Sequence, residues 1–203
     1  MKILNCLKAD INSIIKSDVI MDLISVIGCG IELPIKNTSK RNNLEFNLDN
    51  LKFKKICITT DADVDGFQIR TLVATMIYRL CPTLIQNGYV YVAETPLFEI
   101  TYMQGKEEKT FFAFDDAEKN KFLAKNEAKV KKIQRSKGLG ENDADMMWET
   151  TMNPENRRLI RITPEDVEKM NKTFELFLGN NVQTRKDYIE ENGHLYMEYI
   201  DVD

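Results

Sequence analysis

Three aspartates, Asp61, Asp63 and Asp65, occupy alternate positions in ICITTDADVDGFQIRTLV, directly after a run of β-branched residues. In extended chain, residues two apart project to one side, so this spacing would gather up to three carboxylates around one small volume. Such a group repels itself unless a cation neutralises it or the side chains diverge. Oxygen-only donors favour magnesium, manganese or calcium over zinc. Other chemistries have less to work with. The single histidine, His194, lies close to the C-terminus, which leaves a histidine-dependent serine or cysteine triad almost nowhere to form. Cys6, Cys29, Cys57 and Cys81 are widely spaced, lack C-x-x-C order and sit mostly among apolar neighbours. They read as reduced core residues, not as a zinc site or a disulfide framework.

The elements that must position the aspartates can be read from periodicity. Residues 56–60 read as a buried strand. After Gly66, the residues Ile69, Leu72, Val73, Met76, Ile77 and Leu80 keep helical spacing up to Pro82, which marks the end of that helix. Asn87 and Gly88 then turn the chain into a strand at 89–93. Strand, acidic loop, helix and strand make a βαβ unit, and this alternation implies an α/β fold with a parallel sheet flanked by helices. The aspartates are expected, exposed, at the carboxyl end of a central parallel strand.

Around this unit, Ser17 is placed to cap a helix carrying Ile20, Leu23, Ile24 and Ile27, which Gly28 would end. Residues 36–50 read as an exposed loop. Further strands are expected at 97–101, 109–114, 130–134 and 158–162. Asp115 and Glu118 have capping-box spacing. Gly138 and Gly140 in RSKGLGEND imply unusual dihedrals or close approach by another molecule. A helix around 145–150 carries Trp148, which reads as a core anchor. Thr163 and Pro164 start a helix that Gly179 would close. The resulting division is an α/β region at 1–114 and a mainly helical tail at 115–203.

Three chemistries and one structural role compete for D-A-D-V-D-G. A calcium-binding EF-hand loop fails twice, because its twelfth position would be Leu72 and a strand precedes the loop. A haloacid-dehalogenase-type phosphotransferase would use Asp61 as nucleophile and Asp63 as acid, but Asp65 departs from its pattern. A DxD magnesium site of the Toprim type serves phosphodiester chemistry. The structural role is a turn whose aspartates cap the next helix.

The net charge of -4 conceals segregation. Residues 1–55 and 129–161 are each +3, residues 56–128 are -4 and residues 163–203 are -6. Modest imbalances of this kind fit solvated faces and name no partner. No apolar run reaches the length of a membrane span, and the N-terminus lacks signal-peptide character, so a cytoplasmic location without membrane contact is expected.

The longer context resembles the bacterial type II DNA topoisomerase B subunits, of gyrase or topoisomerase IV. The resemblance rests on KKICITTDADVDGFQIRTLVATMIYRL with QNGYVYVAETPLFEI, and on KILN, IGCGI, KGLGE, WETTMNPENRRLIRIT and RKDYIEEN in the same order. It implies a Toprim fold with Asp61, Asp63 and Asp65 as ligands of Mg2+, which Mn2+ or Ca2+ would replace in binding. Asp61 and Asp63 would be direct ligands and Asp65 direct or through water. It also implies contact of Lys2, Asn5 and Lys137 with double-stranded DNA, and an A2B2 assembly whose A subunit supplies a tyrosine nucleophile. Arg157, Arg158 and Arg161 suit either DNA contact or pairing within the tail. The family's E-G-D-S glutamate and ATP-binding domain would precede Met1. The chain is therefore expected to be a C-terminal fragment, inactive alone, with a noncatalytic subunit-assembly module as the rival role. Gln68 and Ser136 stand where many members have His and Tyr.

Overall fold

The computed structural model describes residues 9–33, 44–136, 138–164, 172–173, 176–177 and 179–199. The chain divides into two compact units, Met1–Ile162 and Thr163–Asp203. The first unit opens with two short helices, α1 at Ile11–Ile15 and α2 at Asp18–Ile27. Asp10 caps α1 by accepting from the Asn12 N–H at 3.0 Å. Helix α2 buries Ile20, Ile24 and Ile27, and it ends on Gly28 in the left-handed region at φ 93°. Ser17 occupies its N-cap position without a side-chain hydrogen bond. Gly30, at φ 79°, allows close chain approach: a Cβ there would lie 2.4 Å from the Glu45 carbonyl oxygen. Ile31 and Glu45 form a parallel bridge, and Leu44 is buried. The described part of the expected exposed loop is thus packed against the core, because Ile31 donates to the Leu44 carbonyl at 2.8 Å.

The βαβ unit is present. Strand β1 (Ile56–Ile58) leads through the aspartate turn into α3 (Val64–Leu80), α4 (Pro82–Gln86) and strand β2 (Val90–Ala93). Strands β1 and β2 run parallel, with Ile56 opposite Val90 and Ile58 opposite Val92. Pro82 does end α3, and it also starts α4 at a position where its missing N–H costs nothing. Glu32 completes that start from outside, accepting from the Thr83 N–H at 2.8 Å and the Thr83 hydroxyl at 2.9 Å. The apolar stripe of α3 buries Met76, Ile77 and Leu80 but leaves Ile69 half exposed.

Strands β3 (Phe98–Gln104), β4 (Glu107–Ala113) and β5 (Val130–Arg135) form a second sheet, in the order β4-β3-β5, with α5 (Asp116–Asn126) between β4 and β5 in the chain. Both of its pairings are antiparallel. Strand β6 (Leu159–Arg161) pairs antiparallel with β2, giving the order β1-β2-β6 in the first sheet. Among the described strands, parallel pairing is therefore confined to β1 and β2, and β1 is an edge strand among the described residues, not a central one. The reason is local: a Gly105 turn at φ 68° folds β3 directly onto β4, with no crossover helix to make the pair parallel. The α/β class holds, with the expected boundary at 114 falling between β4 and α5.

Two apolar clusters hold this unit. The larger joins Ile14, Ile20, Met76, Leu80, Leu84, Ile85 and Val90, which unites α1 to α4 with the parallel pair. The smaller places Phe98, Ile100 and Ala113 under Phe111 and Phe122, whose rings stack at 4.2 Å between centroids. Asp115 caps α5 as read, accepting the Glu118 N–H on Oδ1 at 2.7 Å, while the Glu118 carboxylate accepts the N–H of Phe114 at 3.0 Å, one residue before the N-cap. Cys29 and Cys81 are buried, but Cys57 is exposed, because alternate residues of a strand point to opposite faces and Cys57 lies on the face away from Ile58 and the core.

In the second unit, α7 (Val182–Asn192) is capped by Asn181, which accepts from the Gln183 and Thr184 N–H groups, and a 3-10 segment follows at Gly193–Tyr199. Arg185 ties this helix to the preceding turn through the Phe177 and Gly179 carbonyls at 3.2 and 2.8 Å. The helix expected after Thr163 lies mostly outside the described residues. No helix among the described residues is long and apolar enough to cross a membrane.

Leu80 is fully buried, whereas Ile69 on the same helix is 51% exposed. Leu80→Ala should lower unfolding free energy by about 2–5 kcal/mol, and Ile69→Ala by less than about 1 kcal/mol. Urea denaturation followed by circular dichroism would measure both, and equal losses would contradict this assignment of the core.

Candidate metal centre

The aspartate turn is short because β1 ends at Ile58 and α3 begins at Val64. Thr60 is buried, and its carbonyl accepts from the Thr95 hydroxyl at 3.5 Å, which joins the carboxyl ends of the two parallel strands. Asp61 follows at once, beyond the carboxyl end of β1. Its backbone is closely packed: a Cβ on Gly66 would lie 2.1 Å from the Asp61 carbonyl oxygen. Glycine at 66 is therefore a requirement of close approach.

Each aspartate has a different environment. Asp61 Oδ1 accepts the backbone N–H of Leu139 at 2.7 Å, a contact spanning 78 positions of chain. Asp63 is the N-cap of α3, and its Oδ1 accepts the Gly66 N–H at 2.7 Å. Asp65 lies in the first turn of α3 and is exposed. The capping role is realised at Asp63, and the negative charge of Asp65 suits the positive end of the helix dipole. Among the described residues, no three of His, Cys, Asp and Glu stand close enough to hold a metal ion.

This donor set fits one metal class better than another. Calcium takes six to eight oxygen ligands, whereas magnesium is held by one or two carboxylates with water and phosphate completing its shell. Asp61 and Asp63 each commit one oxygen to a backbone amide, and among the described residues the other takes no hydrogen bond. Two carboxylates in this state suit magnesium or manganese.

Arg70, a cation that periodicity alone did not single out, lies seven positions after Asp63 on α3. Burial pulls its guanidinium below the ordinary pKa, while the Glu94 carboxylate just after β2 opposes that pull. Its Nε is buried without a hydrogen-bond partner among the described residues, and its guanidinium carbon lies 5.0 Å from the Phe67 ring centroid. The signal available in the sequence was its separation of two helical turns from Asp63.

The remaining candidates separate. Lys2, Asn5 and Lys137 lie outside the described residues. Arg158 pairs with Glu118 at 2.6 Å and stacks over Phe114 at 3.8 Å, which is the internal pairing foreseen for the tail arginines. Arg161 lies against Gly88, where a Cβ would meet its Nη2 at 1.9 Å. Trp148 is no core anchor, being 58% exposed. Helix α6 (Ala144–Met147) passes there into a π-helical turn, Trp148–Met152, which buries Thr150 and Thr151 instead. Gly138 has φ -136°, and Gly140 has no positive φ either, so neither needs an unusual dihedral.

Two family models match the chain. The Toprim domain matches residues 8–95, and the carboxyl terminus of the DNA gyrase B subunit matches residues 128–190. The chain thus joins a Toprim domain to a DNA gyrase B carboxyl-terminal domain. It is 40% identical to the DNA gyrase B protein of Thermotoga maritima over 191 residues, which are 94% of this chain and 28% of that protein. The Halalkalibacterium halodurans gyrase B protein is 39% identical over 202 residues, covering 99% of this chain and 29% of the relative. The Staphylococcus aureus gyrase B protein is 41% identical over 192 residues, 94% of this chain and 28% of the relative. The chain thus spans less than a third of the length of these gyrase B relatives.

The capping role of Asp63 is separable from its charge. Asp63→Ala should cost about 1 kcal/mol of stability, and Asp63→Ser a few tenths, since serine also caps helices well. Equal losses for the two variants in urea denaturation would show that the Gly66 hydrogen bond contributes nothing to α3.

Proposed function

We propose that this chain is the magnesium- and DNA-binding part of the cleavage and religation core of a gyrase-like, ATP-dependent type II topoisomerase. The observation that supports this most is the placement of Asp61 and Asp63, beyond the carboxyl end of a parallel strand and each with one oxygen uncommitted, in a chain that matches the Toprim domain and the gyrase B carboxyl terminus. In this reading Asp61 and Asp63 hold Mg2+ directly and Asp65 holds it through water. A divalent cation there supplies positive charge and Lewis acidity to a DNA phosphodiester. The chain's own residues bind and orient. Gly66 keeps the turn tight, and Lys2, Asn5 and Lys137 contact the DNA backbone.

The nucleophile is a tyrosine of a partner A subunit in an A2B2 assembly of the cytoplasm, and ATP hydrolysis belongs to that assembly. Residues 1–114 act as the Toprim region and residues 115–203 as a tail that brings KGLGE to it.

Manganese titration of the chain, followed by electron paramagnetic resonance, tests the metal assignment. Asp61→Ala and Asp63→Ser should each weaken binding about tenfold or more, while Asp65→Ala should do less. Affinities equal to that of the unaltered chain would remove the site from this turn.

DNA affinity should be low and steeply salt-dependent, because phosphate contacts act through counterion release. Lys2→Ala should weaken binding evenly across sequences and reduce the log–log salt slope by about 0.9. A sequence-dependent loss, or affinity indifferent to salt, would contradict backbone contact.

A further inference from the structure

The hydrogen bond from Leu139 to Asp61 points beyond the ligand set. The loop following β5 is tied at its base. The Ser136 N–H donates to the Leu97 carbonyl at 2.9 Å, and the Ser136 hydroxyl donates to Asn142 Oδ1 at 2.6 Å. Asn142 in turn donates through Nδ2 to the Met147 sulfur at 3.5 Å and through its backbone N–H to the Leu139 carbonyl at 3.4 Å. Between these ties the chain crosses the Asp61 carboxylate closely: a Cβ on Gly138 would lie 3.9 Å from Oδ2 and 4.0 Å from Oδ1.

We propose that the backbone amide of Leu139 is a positioning group for the metal centre. It fixes the Asp61 carboxylate by occupying Oδ1 and leaves Oδ2 for the cation, so docking of the Ser136–Asn142 loop sets metal affinity. The inference rests on the metal reading of Asp61. Its physical basis is that a ligand carboxylate free to rotate must lose that freedom on binding, whereas one already held by a charge-assisted hydrogen bond has lost it beforehand. The Gly66 contact fixes the Asp61 backbone, and the Leu139 amide fixes its side chain. Ser136 and Asn142 take part as supports, without contact to any reacting atom.

The backbone permits a selective test. Leu139 is the first residue of the 3-10 turn Leu139–Glu141, and Gly138 before it is extended at ψ 148°. Proline is tolerated at a first helical position and prefers an extended residue before it, so the backbone accepts Leu139→Pro, which removes the N–H and puts a ring carbon in its place that displaces the Asp61 carboxylate from its fixed position. Leu139→Ala keeps the N–H and removes the side chain. Mn2+ would be titrated into the full chain of each variant by electron paramagnetic resonance, alongside Asp61→Ala, with circular dichroism confirming that each is folded.

Leu139→Pro should bind Mn2+ about tenfold more weakly than Leu139→Ala, which should match the unaltered chain. Ser136→Ala should weaken binding severalfold, and Ser136→Thr, which keeps the hydroxyl, should restore it. Unchanged or tighter binding by Leu139→Pro, with Asp61→Ala weakened, would overturn the positioning role and leave the metal reading standing. Affinity unaffected by Asp61→Ala would overturn both. Should the proline variant not fold, the Ser136 pair decides: equal affinities for Ser136→Ala and Ser136→Thr would overturn the inference.

Discussion

The turn from β1 into α3 has no room for a side chain at position 66, and much of the first unit follows from that. A Cβ there would press to 2.1 Å from the Asp61 carbonyl oxygen, so the first turn of α3 lies directly on the backbone it has just left. Only a chain that reverses this tightly lets α3 run back along the parallel pair and bury Met76, Ile77 and Leu80 against Val90. The same reversal leaves Asp61 and Asp63 in the turn, each with one carboxylate oxygen committed to a backbone amide and the other not. A looser turn would let the carboxylates spread apart, and their mutual repulsion would favour that spread. The packing constraint and the chemical one are met by the same glycine.

What was legible in the sequence was local. Gly28 ending α2, Pro82 ending α3, and Asp115 with Glu118 opening α5 are each decided within four or five residues, so their signals survive without tertiary context. The βαβ alternation was equally readable, because switching between two-residue and helical apolar spacing needs no distant partner. The aspartate spacing marks a candidate site but not its geometry. A period-two reading assumes extended chain, and α3 begins at Val64, so Asp65 already sits on a helix. Its carboxylate leaves the common side for that reason.

The contacts that escaped were nonlocal. Glu32 completes the start of α4 from 51 positions away, and Leu139 reaches Asp61 from 78. No spacing rule signals either. The β3–β4 hairpin was legible only in part, as strands at 97–101 and 109–114: Lys106, Glu107 and Glu108 give its turn and the start of β4 a charged sequence that reads as loop, although Gly105 at φ 68° supplies the needed turn geometry. With the hairpin read short, the second sheet could not be recognised as antiparallel. Trp148 escaped because a π-helical turn shifts which residues face inward, and apolar size alone gave the wrong side.

The two sheets have distinct relations to the site. The parallel pair produces the carboxylates as an inevitable consequence of strand direction, since the chain must leave β1 at its carboxyl end and turn there. The antiparallel sheet contributes no carboxylate to this turn, yet β5 leads straight to Ser136, whose N–H is held by the Leu97 carbonyl just before β3. The loop that reaches Asp61 is thus anchored on the sheet itself and not on its own flexible length. Anchoring of this kind matters because a backbone amide has no rotamers: once the strand is placed, the donor is placed. A side-chain donor on the same loop would have to lose rotamer freedom to make the same bond, and the carboxylate would be correspondingly less well held.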